Sequence, residues 1–194
     1  MSAKVLFTGG AACGKSFFAE QLIRQLPEPY YYIATMQPYG ADGQAKVAKH
    51  RAMRRDIPFT TIERYHDIGG IEFPQRGTVL FEDITNLVAD EMFAEDGFRF
   101  DIADELIEGC EQLIAKADDI LIITNEVGRE LYPYTPETRA YIETLGAVNA
   151  AIAAQCDAVY EFVAGTPIEL KAPSKPMPQL TFIQEAANVR GGAA

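Results

Sequence analysis

The chain has 194 residues, which at about 150 residues per domain is the length of one domain. Apolar residues make up 48% and charged residues 23%, a globular mixture that argues against disorder. Twenty-eight acids against 17 bases leave a net charge of −11, which disfavours non-specific binding to nucleic acid or to an anionic membrane.

Short β-branched or aromatic runs alternate with helix-length segments, the pattern of an α/β fold with a mostly parallel central sheet flanked by helices. Lys4–Thr8 reads as a first strand, followed by a Gly-rich turn and a helix to about Gln25, ended by Pro27 and Pro29. Tyr30–Thr35 reads as a second strand and Asp42–Arg55 as a basic helical stretch. Thr78–Phe81 is a short buried strand ending in Glu82-Asp83. Helical segments follow around Thr85–Phe93 and Asp101–Ala117, then a strand over Ile120–Thr124, an alanine-rich helix over Glu137–Gln155 and a strand over Val159–Val163. The tail after Gly165 holds four prolines and reads as loop, with a short strand near Leu180–Ile183. No internal repeat or linker divides residues 1–194, which read as a single nucleotide-binding domain.

The sharpest motif is Gly9-Gly10-Ala11-Ala12-Cys13-Gly14-Lys15-Ser16, a full match to G-x-x-x-x-G-K-[ST] between a predicted strand and a predicted helix. In such a P-loop the glycines let the backbone aim N–H groups at phosphate oxygens, at the positive end of the following helix. Lys15 is expected to reach the β- and γ-phosphates of ATP or GTP, and the Ser16 hydroxyl to bind Mg²⁺. An acid for the metal belongs at the end of a buried strand. Glu82 follows the apolar run directly and is preferred over Asp83, although both acids also suit the cap of the next helix.

His50 sits among Lys46, Lys49, Arg51, Arg54 and Arg55 of a strongly acidic chain, which is where an anionic substrate would be held. Arg51 and Arg54 share a helical face at i, i+3 spacing. A lone histidine is more often structural; in this setting it reads as a phosphate contact or nucleophile. His66 lacks such neighbours and reads as a loop residue. Cys13, Cys110 and Cys156 are far apart, odd in number and match no metal spacing, as expected of reduced thiols in the cytoplasm. The N-terminus has no signal-peptide pattern. The longest uncharged run, Thr144 to Cys156, is too short and polar to span a membrane.

Together these residues resemble the bifunctional adenosylcobinamide kinase / adenosylcobinamide-phosphate guanylyltransferases. The likeness runs from the P-loop and Ala19-Glu20…Leu22 through Tyr32-Ile33-Ala34-Thr35, Lys46-Val47…His50-Arg51…Arg54, Thr61-Ile62-Glu63 and Val79–Thr85. It continues through Ile123-Thr124-Asn125-Glu126-Val127-Gly128, Arg139 and Gly146–Asn149 to Gly165-Thr166-Pro167, covering roughly residues 4 to 171. The resemblance implies a cytoplasmic homotrimer of cobalamin biosynthesis. Such an enzyme phosphorylates adenosylcobinamide, then passes GMP from GTP through a guanylylated histidine to the phosphorylated corrinoid. Carried over residue by residue, the nucleophile is His50. The nucleotide contacts are Gly9 to Ser16, Thr35, Met36 and Gln37, the stretch Arg51-Ala52-Met53-Arg54, Glu63 and Glu82. Imidazole suits the nucleophilic role because it is uncharged near neutrality. Glu63 could accept hydrogen bonds from guanine N1 and N2, which adenine lacks.

The chain departs from the family pattern in places. Ala12-Cys13 stand where Arg-Ser is common, Asp83 replaces a common cysteine, and Arg129–Pro133 is less glycine-rich than usual. Tyr141–Glu143 lacks a usual arginine, and the span from His50 to Glu63 is one residue longer. Two other readings stay open: a P-loop kinase or nucleotidyltransferase acting on a different alcohol, and a nucleotide-binding scaffold without turnover. A plain kinase has no need of a histidine inside an arginine cluster. A scaffold has no need of intact Lys15, Ser16 and Glu82.

Overall fold

The computed structural model describes residues 3–38, 40–94, 96–128, 130 and 132–174, apart from the side chains of residues 41, 42, 46, 49, 50 and 53. The elements in chain order are β1 (Lys4–Gly9), α1 (Lys15–Ile23), β2 (Tyr30–Ala34), α2 (Gly40–Met53), β3 (Phe59–Glu63), β4 (Thr78–Glu82), α3 (Ile84–Met92), β5 (Phe93–Ala94), β6 (Gly97–Phe98), α4 (Ala103–Lys116), β7 (Asp119–Ile123), α5 (Pro136–Gln155), β8 (Ala158–Val163) and β9 (Thr166–Lys171). Seven strands form one sheet in the order β3-β2-β4-β7-β1-β8-β9. It is parallel throughout except for β9, which runs antiparallel to β8.

The central strands are apolar on both faces because helices cover both. Alternation along each strand then divides the core into two layers. Val5, Phe7, Tyr32, Leu80, Leu121 and Ile123 pack with Phe18, Ala19 and Leu22 of α1. Leu6, Ile33, Val79, Phe81, Ile120 and Ile122 pack with α3, α4 and α5 through residues such as Leu87, Leu106, Leu113 and Val148. Cys110 and Cys156 are buried in this second layer as small hydrophobes, and burial pushes each thiol up to about 12.

Three features differ from the sequence-based expectation. Thr166–Lys171 is an edge strand rather than loop, paired with Ala158–Val163 over Val159↔Lys171 to Val163↔Thr166. An edge strand tolerates Pro167 where a central one would not. Phe59–Glu63 forms the opposite edge of the sheet, and Phe93–Ala94 with Gly97–Phe98 form a two-stranded ribbon of their own. The strand expected near Leu180–Ile183 lies outside the described residues. Among the described residues, no helix is long and apolar enough to cross a membrane.

Candidate functional site: a P-loop and an arginine-walled cavity meeting at Glu82

The loop from Gly9 to Gly14 carries the chain from the end of β1 to the start of α1. Gly9 has φ +127, and a Cβ there would meet the Phe162 carbonyl oxygen at 2.5 Å, so only glycine fits. Gly14, at φ +104, is the residue before α1 and needs the same freedom. Lys15 is the first residue of α1 and only 5% exposed, rather than a solvated loop residue. Its Nζ donates to the Gly9 carbonyl at 2.9 Å and the Gly10 carbonyl at 2.6 Å, with Cys13 Sγ at 3.5 Å. Cys13 is a partly exposed free thiol within the loop.

Glu82 ends β4 on the α1 side of the sheet, the same face as Leu80. Ser16 Oγ donates to Glu82 Oε1 at 2.5 Å, and Tyr32 Oη donates to Glu82 Oε2 at 2.8 Å. Ser16 and Glu82 are thus adjacent hard oxygen donors at the P-loop, a set that fits a magnesium ion. Asp83 has the other role that the sequence allowed for this acidic pair. Its side chain caps α3 by accepting from Asn86 N at 2.7 Å, and it accepts from Asn125 Nδ2 at 3.1 Å. Burial pushes the Asp83 carboxyl up to about 6, against the pull of these hydrogen bonds.

A cavity of about 610 Å³ opens between α2 and the carboxyl ends of β2, β3 and β4. Its walls include Tyr32, Met36, Val47, Arg51, Arg54, Glu63, Tyr65, Glu82 and Asn86. Arg51 is paired with Glu63, and Tyr65 Oη lies 3.4 Å from Glu63 Oε2. Arg54, just past α2, is 6% exposed, with its guanidinium carbon 3.7 Å from the centre of the Tyr32 ring. A neighbouring cleft of about 470 Å³ is lined by Arg51, Arg54, Arg55, Thr61 and Glu63. Of the sequence-predicted nucleotide contacts, then, Arg51, Arg54, Glu63, Met36 and Glu82 converge on this cavity.

Others fall elsewhere. Thr35 is fully buried, and its hydroxyl donates to the Asp83 carbonyl at 2.8 Å and accepts from Asp83 N at 2.7 Å. Its side chain therefore holds the Glu82-Asp83 corner and does not face the cavity. Gln37 lies beside Asp90 and lines neither cavity. Ala52 is exposed and lines neither cavity. His50 belongs to α2, but its side chain, like those of Lys46, Lys49 and Met53, lies outside the described residues. His66 is half-exposed, with Nδ1 3.7 Å from Glu91 Oε2.

Three neighbours were not visible as site residues in the sequence. Tyr32 touches both Glu82 and Arg54. Glu20, on the buried side of α1, is 6% exposed; burial and then the Glu82 charge push its carboxyl up to about 7, while Arg54 and Arg24 pull it down. Asn125 donates from its backbone to Thr85 Oγ1 at 2.9 Å, while Glu126 N reaches the Gly9 carbonyl at 3.2 Å. The Asn125-Glu126 segment thereby ties the P-loop to the start of α3.

Comparison with known proteins gives this geometry a context. Residues 5–170 match the family model described as cobinamide kinase / cobinamide phosphate guanyltransferase. The bifunctional adenosylcobalamin biosynthesis protein CobU of Salmonella typhimurium is 31% identical, over 86% of this chain and 99% of its own length. CobP of Pseudomonas aeruginosa, with the same description, is 30% identical over 86% of this chain and 96% of its own. CobU of Escherichia coli is 29% identical over 86% and 99%. Among solved structures, an ATPase from the type III secretion system of pathogenic bacteria aligns with a TM-score of 0.51 at 8% identity. That match covers 97% of this chain and 63% of the ATPase chain, and shares the P-loop fold.

Proposed function

The chain belongs to the cobinamide kinase / cobinamide phosphate guanyltransferase family, a family of bifunctional enzymes of cobalamin biosynthesis, and on that premise we propose how its residues divide the two reactions. In the first, the P-loop half transfers the γ-phosphoryl group of ATP or GTP to the free hydroxyl of adenosylcobinamide. Backbone N–H groups of Gly9 to Ser16 hold the phosphates. Lys15 exchanges its carbonyl partners for β- and γ-phosphate oxygens. Ser16 and Glu82 are the groups that would hold Mg²⁺, which when bound neutralises charge on the phosphates.

In the second, the His50 imidazole attacks the α-phosphorus of GTP, forming a nitrogen–phosphorus bond as the bond to pyrophosphate breaks. The corrinoid phosphate then displaces the imidazole and leaves as adenosylcobinamide-GDP. Arg51 and Arg54 stabilise charge on the α-phosphate and pyrophosphate, and Glu63 receives the guanine N1 and N2 hydrogens. The observation that carries this reading is the pair of sites sharing Glu82: a phosphate loop on one side and an arginine-walled cavity under the histidine-bearing helix on the other. The resemblance further assigns a homotrimer in the cytoplasm, which sedimentation velocity tests by a mass of three chains.

The deciding experiment uses GTP labelled at the α- or the γ-phosphate. A phosphoramidate withstands alkali and breaks in mild acid, so the α-label should be retained on the protein in base and lost in acid, and the γ-label should never appear. His50→Ala should remove the label, whereas His66→Ala should keep it. A His50→Ala protein that still takes the label places the nucleophile elsewhere and ends the assignment.

A further inference from the structure

We propose that Tyr32 is a positioning residue shared by both reactions: its hydroxyl orients Glu82 for phosphoryl transfer, and its ring seats Arg54 for guanylyl transfer. The inference rests on the bifunctional reading above. Tyr32 lies near the middle of β2 and is 4% exposed, on the face of the sheet that carries Leu80 and α1. Ala34 is in register with Glu82 on the adjacent strand β4, which puts Tyr32 one diagonal step from that carboxylate.

The two ends of the side chain do different work. Each Glu82 carboxylate oxygen has one hydroxyl donor, Ser16 on Oε1 and Tyr32 on Oε2, so rotation of the carboxylate would break both bonds. Tyr32 thereby holds the plane of the carboxylate, with one oxygen turned to the P-loop serine. The face of the ring carries the Arg54 guanidinium at 3.7 Å, and Phe59 packs edge-on against the same ring at 5.5 Å. A guanidinium over an aromatic face keeps its in-plane N–H donors pointing sideways. Arg54 lines both the large cavity and the neighbouring cleft, so those donors are held where an α-phosphate and its leaving group pass. Phenylalanine would retain the seat without the Glu82 bond, and leucine would remove both.

The test compares Tyr32→Phe with Tyr32→Leu in the full-length protein. Two readouts are needed besides turnover: the acid-labile label from α-labelled GTP, and the affinity for GMP, which has no β- or γ-phosphate for the P-loop. Tyr32→Phe should lower kcat for corrinoid phosphorylation about tenfold, the usual loss when a hydrogen bond to a charged group goes, with the corrinoid KM unchanged. It should leave labelling rate and GMP affinity at wild-type values. Tyr32→Leu should add about a tenfold loss in both. Arg54→Leu, which removes the guanidinium but neither partner of the Tyr32–Glu82 bond, should lose labelling and GMP affinity. Any other pattern for Tyr32→Phe, including equal losses in both halves or none in either, overturns the proposal. A wild-type protein lacking one of the two activities would instead overturn the bifunctional reading.

Discussion

The ammonium of Lys15 donates to the carbonyls of Gly9 and Gly10, so its replacement acts on fold and function together. Lys15→Met should abolish corrinoid phosphorylation. It should also lower stability by about 1–2 kcal/mol, because two loop carbonyls lose their donor. Urea unfolding and a phosphorylation assay check the two halves, and wild-type turnover in the mutant refutes the phosphate role. Glu63 presents a different case. It is exposed and paired with Arg51, and exposed pairs contribute little to folding, so Glu63→Gln should leave the urea midpoint unchanged. An amide accepts fewer hydrogen bonds from guanine than a carboxylate does, so the preference for GTP over ATP in labelling should fall about tenfold. An unchanged preference removes Glu63 from base recognition.

Asp83 stands at the N-terminus of α3, and the prediction at that scale concerns the helix rather than the chemistry. Asp83→Ala removes the acceptor for Asn86 N and the contact to Asn125, and should cost about 1–2 kcal/mol in a urea titration. Asp83→Asn should recover most of it, since an amide oxygen still caps. Equal losses in the two variants would deny the cap. The elements that the sequence reveals are those whose centres are fully buried: Val79–Phe81 and Ile120–Ile123 are continuous apolar runs because both faces are covered. Phe59–Glu63 and Thr166–Lys171 lack that signature because each is a half-exposed edge, the latter interrupted by Pro167. The site divides the same way. The P-loop is contiguous, so eight adjacent letters reveal it. Glu20, Tyr32 and Arg54 come together only through strand register and the packing of α1 against the sheet, which no local spacing encodes.

The molecule as a whole carries a net charge of −11, and it buries two acids beside its phosphate loop. Burial raises Glu20 from an ordinary 4.5 to about 7, and Asp83 from 3.8 to about 6. Both groups hold a proton more tightly in the folded chain than in the unfolded one. The stability they contribute is therefore complete below their ordinary range and is lost as pH rises through about 6 and then about 7. Self-repulsion of the acidic surface works in the same direction, because it grows with each proton lost. The protein should accordingly be more resistant to urea at pH 6 than at pH 8. Glu20→Gln, which cannot ionise, should be more stable than the wild type at pH 8 by about 1 kcal/mol, allowing for loss of its attraction to Arg54 and Arg24. That advantage should vanish by about pH 4, below the carboxyl's ordinary 4.5, where it is protonated in the folded and unfolded chain alike. Added salt should raise both midpoints at pH 8 by screening the surface, yet preserve most of the gap between them, since the cost of a buried charge is desolvation and not long-range repulsion. A wild-type midpoint higher at pH 8 than at pH 6, or a Glu20→Gln protein weaker than the wild type at pH 8, would show that Glu20 is stabilised as a carboxylate by its arginines instead.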